Sequence, residues 1–132
     1  MVINANIYAQ GKSHEQDVKA VIERLFEFSN NQNYKSAAEL IAYSGEDDNR
    51  NNNDTFNVSD RMEFNQVKRI CKQIYALLEL SEYQLGDYKA TFDNGVTHYN
   101  LDIYFISGEQ RIKKRFQFVK TENGKYLLDQ II

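Results

Sequence analysis

Three turn signals fall in series in the last third of the chain: Asn94-Gly95, Ser107-Gly108-Glu109 and Asn123-Gly124. The first and third suit type I′ hairpins, and the second suits a type II′ turn with Gly108 leading. They cut the segment from residue 82 onward into four runs of roughly 8–10 residues rich in aromatic and β-branched side chains. No proline interrupts them. Four such runs joined by tight turns can only pair as neighbours, so the segment reads as an antiparallel meander.

The turns also set a register. A two-residue loop at Asn94-Gly95 puts Phe92 opposite Thr97, Ala90 opposite Tyr99, Tyr88 opposite Leu101 and Gly86 opposite Ile103. A two-residue loop at Gly108-Glu109 puts Phe105 opposite Ile112, Ile103 opposite Lys114, Leu101 opposite Phe116 and Tyr99 opposite Phe118. The two turns are independent and agree: one face collects Phe92, Tyr88, Tyr99, Leu101, Ile103, Phe105, Ile112, Phe116 and Phe118. A slip of one residue would scatter these over both faces. The other face collects Lys89, Asp87, His98, Asn100, Asp102, Lys113, Arg115 and Gln117, with Arg115 beside Asp102. The basic run Arg111-Ile112-Lys113-Lys114-Arg115 therefore reads as a solvated, paired surface, not a nucleic-acid stripe.

Two polar residues stand out on the apolar face. Lys114 lies among Ile103, Ile112 and Phe116, where it either snorkels at the sheet's rim or supplies a cation to an anionic ligand. Asp129 faces Phe118 if Asn123-Gly124 closes a two-residue loop, and an inward carboxylate there suits acid–base chemistry. In that register Tyr126 and Leu128 join an outer apolar patch of Leu85, Tyr104, Ile106 and Val119, a candidate face for a homodimer. If a bulge flips the last strand, Tyr126, Leu128 and Gln130 turn inward and Asp129 is solvated.

Upstream the period changes. Val18, Val21, Ile22, Leu25 and Phe26 recur at helical spacing, and Ser13 with Gln16 resembles a capping box, predicting a helix over 14–29. A shorter helical piece carries Ala37, Ala38, Leu40 and Ile41. After a polar loop with five asparagines at 45–57, Ser59 and Asp60 open a long helix with the stripe Phe64, Val67, Ile70, Cys71, Ile74, Leu77 and Leu78. No linker or repeat divides the chain, so 1–132 reads as a single domain.

Composition excludes several classes. The net charge of −3 argues against a general nucleic-acid binder. Nine tyrosines and eight phenylalanines exclude a disordered chain. No apolar window approaches the length of a membrane span. Cys71 has no partner for a disulfide, and Met1–Gln10 lacks the basic start of a signal peptide, which together suggest the cytoplasm. His98 reads as a surface residue and His14 as a bland one in the first turn of its helix, too few for a His-rich metal site. Asn49, Asn51, Asn53, Asn57 and Asp60 match a calcium loop only in part, lacking its first Asp, its Gly and its final Glu. No phosphate loop, G-x-S-x-G, H-E-x-x-H or C-x-x-C occurs, so no cofactor or metal is expected.

Long helix, short helix, long helix and curved four-stranded meander make an α+β layout. With the Val18–Phe26 stripe, the Ala37-Ala38-Glu39-Leu40-Ile41 piece and the ending Phe116-Gln117-Phe118 … Gly124-Lys125-Tyr126-Leu127-Leu128, it resembles the cone-shaped α+β barrel of the nuclear transport factor 2-like superfamily. It is similar above all to small bacterial members of unassigned function. Cystatin-type inhibitors share a helix-on-sheet plan, but Gln84-Leu85-Gly86 is not their Q-x-V-x-G hairpin. The resemblance implies a pocket between sheet and helices, with Tyr88, Tyr99, Phe116 and Phe118 as walls and Lys114 and Asp129 as polar groups. It leaves three functions open: a binding domain for a small apolar or weakly polar molecule, a closed homodimeric interaction module, or an acid–base isomerase, dehydratase or cyclase.

Overall fold

A computed structural model of the chain describes residues 2–47, 50 and 54–132, with only the helical backbone for 2–13. It is an α+β fold: helices α1 (Val2–Asn30), α2 (Tyr34–Ala38) and α3 (Arg61–Glu79) pack on one four-stranded antiparallel sheet. The strands β1 (Glu82–Asp93), β2 (Val96–Ser107), β3 (Gln110–Lys120) and β4 (Tyr126–Ile131) lie side by side in chain order. Among the described residues, no helix is long and apolar enough to cross a membrane.

Helix α1 begins at Val2, well before Ser13, which therefore lies inside the helix and not at its N-cap. Ala5 and Ala9 are strong helix formers, and Gly11 costs only about 1 kcal/mol against Ala in a helix interior. The C-terminus has a definite stop. Gln32 takes φ 58° and the Asn33 N–H donates to Phe28 O at 2.8 Å, closing the last turn in Schellman fashion. Asn33 then caps α2 by accepting from the Ser36 N–H. Asp60 caps α3 by accepting from the Glu63 N–H at 3.0 Å.

Each helix buries the stripe its spacing marks. Val18, Ile22, Leu25 and Phe26 of α1 meet Val67, Cys71 and Ile74 of α3 in a single core with Leu101, Ile103, Phe105, Phe116 and Phe118 of the sheet. Phe26 sits at the middle of an aromatic group, edge-on to Phe116 at 5.7 Å and to Tyr83 at 4.9 Å. The pairings expected for β2 with β3, from Tyr99–Phe118 to Phe105–Ile112, are those observed.

The two outer strands depart from expectation. In β1 the register shifts between Leu85 and Tyr88, so Leu85 rather than Gly86 pairs with Ile103. Leu85 therefore packs against the core and leaves the outer face. Gly86 lies against the ring of Tyr104, and the Arg111 guanidinium also stacks on that ring, 4.0 Å from its centre. In β4 the turn is longer than two residues. Lys120 pairs with Tyr126, and the Thr121 N–H donates to Lys125 O across Glu122-Asn123-Gly124. The extra residue reverses the parity of the strand. Tyr126 and Leu128 turn into the core, and Phe118 faces Leu128, not Asp129. A second irregularity, at Asp129, then sets Gln130 opposite Gln117 and Ile131 opposite Phe116. Leu40–Ala42 runs along the free edge of β4, with the Ala42 N–H donating to Leu128 O and the Leu128 N–H to Leu40 O, both at 2.8 Å.

The polar loop is anchored by Arg50. Its guanidinium donates to the Glu63 carboxylate and the Thr55 carbonyl and lies 3.9 Å from the centre of the Tyr43 ring. Of the partial calcium-loop pattern, Asn49, Asn51 and Asn53 lie outside the described residues. The side-chain oxygens of Asn57 and Asp60 accept backbone N–H groups of Ser59 and Glu63.

Candidate functional site: a histidine–tyrosine cluster

Four ring side chains from four elements converge at one end of the inner sheet face. His14 comes from α1, Tyr88 from β1, Tyr99 from β2 and Tyr126 from β4. The placement follows from two periods. His14 is one turn ahead of Val18 and two ahead of Ile22, so it shares the buried stripe of α1. Tyr88, Tyr99 and Tyr126 share the inward parity of their strands. His14 Nδ1 is hydrogen-bonded to the Tyr126 hydroxyl, and its ring centre is 5.5 Å from that of Tyr99. Tyr99 and Tyr126 stand edge to face at 5.2 Å, a favoured aromatic geometry.

Burial pushes the Tyr88 phenol up to about 12, reinforced by Tyr99 and Glu15. Burial likewise pushes Tyr126 up to about 12, reinforced by Tyr99, Asp17 and Tyr88. Both are neutral phenols at physiological pH. The His14 Nδ1–Tyr126 hydroxyl bond joins the imidazole to a neutral phenol, which can donate or accept, and Nε2 is the second polar atom of the ring. The cluster thus offers aromatic walls and a few hydrogen-bonding tips, with the carboxylates of Glu15 and Asp17 near enough to disfavour phenolate.

These raised values predict an alkaline signature. A phenol held above its unfolded value of 10 contributes stability that is whole below pH 10 and is lost as pH rises through 12. Absorbance titration at 295 nm should show two of the nine tyrosines ionising only near pH 12, coincident with loss of stability. Tyr88→Phe and Tyr126→Phe should each remove one late step. Nine tyrosines titrating together near 10 would contradict the burial of the cluster.

The other residues singled out in the sequence are placed elsewhere. Phe116 and Phe118 are fully buried in the core and border no open space. Lys114, half-buried opposite Ile103, is four residues along β3 from Phe118, about 13 Å. Asp129 lies on the outer face, where it accepts from Gln117 Nε2 at 3.3 Å. Of the outer patch, Tyr104 and Ile106 remain on that face, half-buried. Val119 is buried in a small cluster with Ala42 and Leu127. Burial pushes the Cys71 thiol up, against the opposing influence of the Ser29 hydroxyl, which favours the thiol over the reactive thiolate.

His14 was missed by sequence reasoning, and Tyr126 was placed inward only in the alternative where the last strand is flipped. The signal for His14 was its spacing ahead of Val18. For Tyr126 it was Gly124 as the third residue of Glu122-Asn123-Gly124, a pattern that suits a three-residue hairpin loop.

Among the described residues several surface hollows are present, and two of them bear on the site. One of about 360 Å³ adjoins Tyr126 and is rimmed by Asp17, Arg24, Glu39 and Lys125. The larger, about 670 Å³, lies at α1 and the start of β1 between Glu23, Glu27, Glu82 and Tyr83. It is a shallow surface groove that includes none of the four clustered rings, so its size does not make it the site.

No protein-family model matches the chain, and no curated protein is similar to it in sequence. Among solved structures, a protein from Catenulispora acidiphila aligns over 94% of this chain and 91% of that one, with 7% identity and a TM-score of 0.48.

Proposed function

We propose that this is a nuclear transport factor 2-like domain that binds a small apolar or weakly polar molecule at the His14–Tyr88–Tyr99–Tyr126 cluster. The observation that carries the reading is the convergence of a histidine and three tyrosines from four elements, two of the phenols held neutral. Apolar surroundings with a few directed polar groups are the usual composition of a ligand site. The adjacent hollow of about 360 Å³ shares Tyr126 with the cluster. Glu15 and Asp17 favour an uncharged ligand over an anion. An acid–base enzyme on this site would use His14 and Tyr126 as its proton-carrying groups, because Asp129 faces away.

Acetophenone, a flat aromatic ketone, is a suitable probe. Titrated into the labelled protein, it should shift the resonances of His14, Tyr88, Tyr99 and Tyr126 together. Tyr99→Ala should weaken its Kd by about tenfold, the equivalent of about 1.4 kcal/mol. Shifts spread over the surface, or an unchanged Kd in Tyr99→Ala, would overturn the assignment.

The second reading is an interaction module that pairs through the outer sheet face around Tyr104 and Ile106. It is favoured by the complete burial of Phe105, Phe116 and Phe118, which closes the middle of the layer. Sedimentation showing a dimer that Tyr104→Glu dissociates, without probe binding at the cluster, would select it.

A further inference from the structure

On the outer face, His98 of β2, Gln117 of β3 and Asp129 of β4 stand in a row across three strands. His98 Nδ1 is 2.7 Å from Gln117 Nε2, and the same nitrogen is 3.3 Å from Asp129 Oδ2. We propose that these three side chains form a proton-operated latch, which clamps the irregular end of β4 while His98 is neutral and releases it when His98 gains a proton.

The chemistry of the row leaves one arrangement of hydrogens. An ionised carboxylate only accepts, so the group of Gln117 turned toward Asp129 must be the amide N–H₂. That nitrogen also meets His98, so Nδ1 must be the accepting lone pair and Nε2 must carry the proton. The carboxylate thus orients the amide, and the amide selects the neutral tautomer of the imidazole. A proton added at Nδ1 sets donor against donor. Turning the amide over would satisfy His98 but would bring Oε1 against the Asp129 carboxylate. Gln117 cannot serve both a protonated His98 and an ionised Asp129. The two charged groups do not pair directly in this arrangement, because Gln117 Nε2 stands between them, 2.7 Å from His98 Nδ1 and 3.3 Å from Asp129 Oδ2.

What the latch holds is specific. Asp129 is the unpaired residue between Leu128, opposite Phe118, and Gln130, opposite Gln117. Its contact with Gln117 ties this irregular residue to the neighbouring strand and keeps both Leu128 and Ile131 against the core. Other charged groups near His98 do not stand in for the latch. Lys89 and Asp93 share its face on β1, where His98 is paired with uncharged Thr91. Arg115 on β3 is engaged by Asp102 at 3.0 Å. The helices pack on the opposite face. An imidazole ordinarily changes charge between pH 5 and 8, within the range of cellular compartments.

The full-length chain, labelled with ¹⁵N, allows a direct test. At pH 7.5 the His98 ring should show the Nε2–H tautomer. Hydrogen-exchange protection factors, which remove the intrinsic pH dependence of exchange, should fall at least about tenfold for Gln130 and Ile132, the residues at the end of β4 that form hydrogen-bonded pairs with β3 there, between pH 7.5 and 5.5. Those of Leu101 and Ile103 in β2 should hold. In His98→Gln the fall should vanish. An Nδ1–H tautomer at pH 7.5, equal protection at both pH values, or a fall that persists in His98→Gln would overturn the latch.

Discussion

Phe116→Ala is expected to lower the unfolding free energy by about 3–5 kcal/mol, as for other fully buried phenylalanines. That is a large share of the roughly 5–15 kcal/mol that holds a domain of this kind together. The ring is at 0% exposure and lies edge-on to Phe26 at 5.7 Å and within 6.4 Å of Phe105. It pairs across the sheet with Leu101 on one side and Ile131 on the other. Its removal leaves a void bounded by a helix and three strands, which can relax only in part. Urea unfolding followed by circular dichroism measures the loss, since the chain has no tryptophan to report it. A loss below about 1 kcal/mol would mean that the phenylalanine layer is loosely filled. A ligand pocket would then extend into the middle of the fold, and the assignment of the site to the tyrosine end would lose its basis.

Gly86→Ala should cost about 1–3 kcal/mol, for reasons of space alone. The backbone at Gly86 is not left-handed, so a side chain meets no conformational penalty there. An added Cβ would lie 2.6 Å from Tyr104 Cε2 and 3.0 Å from the Asp102 carbonyl oxygen. The Tyr104 ring is also held by Arg111, whose guanidinium carbon stacks over it 4.0 Å from the ring centre. The carbonyl belongs to the central strand and cannot move without disturbing the β2–β3 pairing. Tyr104→Ala removes the first clash and leaves the second. In the double variant the combined loss should therefore fall short of the sum of the single losses, by an interaction energy of about 0.5–3 kcal/mol. Strict additivity would show that Tyr104 does not sit over Gly86.

The contrast between β2 and its neighbours explains what could be read from the residues alone. Two separate turns, Asn94-Gly95 and Ser107-Gly108-Glu109, constrain β2 from both ends, and their agreement placed Tyr99, Phe116 and Phe118 inward. The Arg115–Asp102 pair on the outer face followed from the same register. Gly86, a glycine inside a strand, could mark a bulge or leave room for a ligand, and the sequence before it has no turn to decide between them. The last strand rested on one turn, and a loop of three residues instead of two was enough to exchange Asp129 for Leu128. The candidate site suffered from both limits. Tyr88 and Tyr99 were legible from strand parity. Tyr126 depended on which of two registers the third turn set, and His14 was hidden by a helix that begins at Val2 rather than beside it. Contacts between α1 and the far edge of the sheet depend on how the helix crosses the strands, which no local pattern encodes.

The cluster as a binding site is tested most directly by a crystal structure of the protein grown with acetophenone. The account predicts the ketone against the rings of Tyr88 and Tyr99, its carbonyl oxygen within hydrogen-bonding distance of His14 Nε2 or the Tyr126 hydroxyl. Crystals at saturating acetophenone in which the four rings close on one another, with the ketone bound elsewhere or not at all, would contradict it.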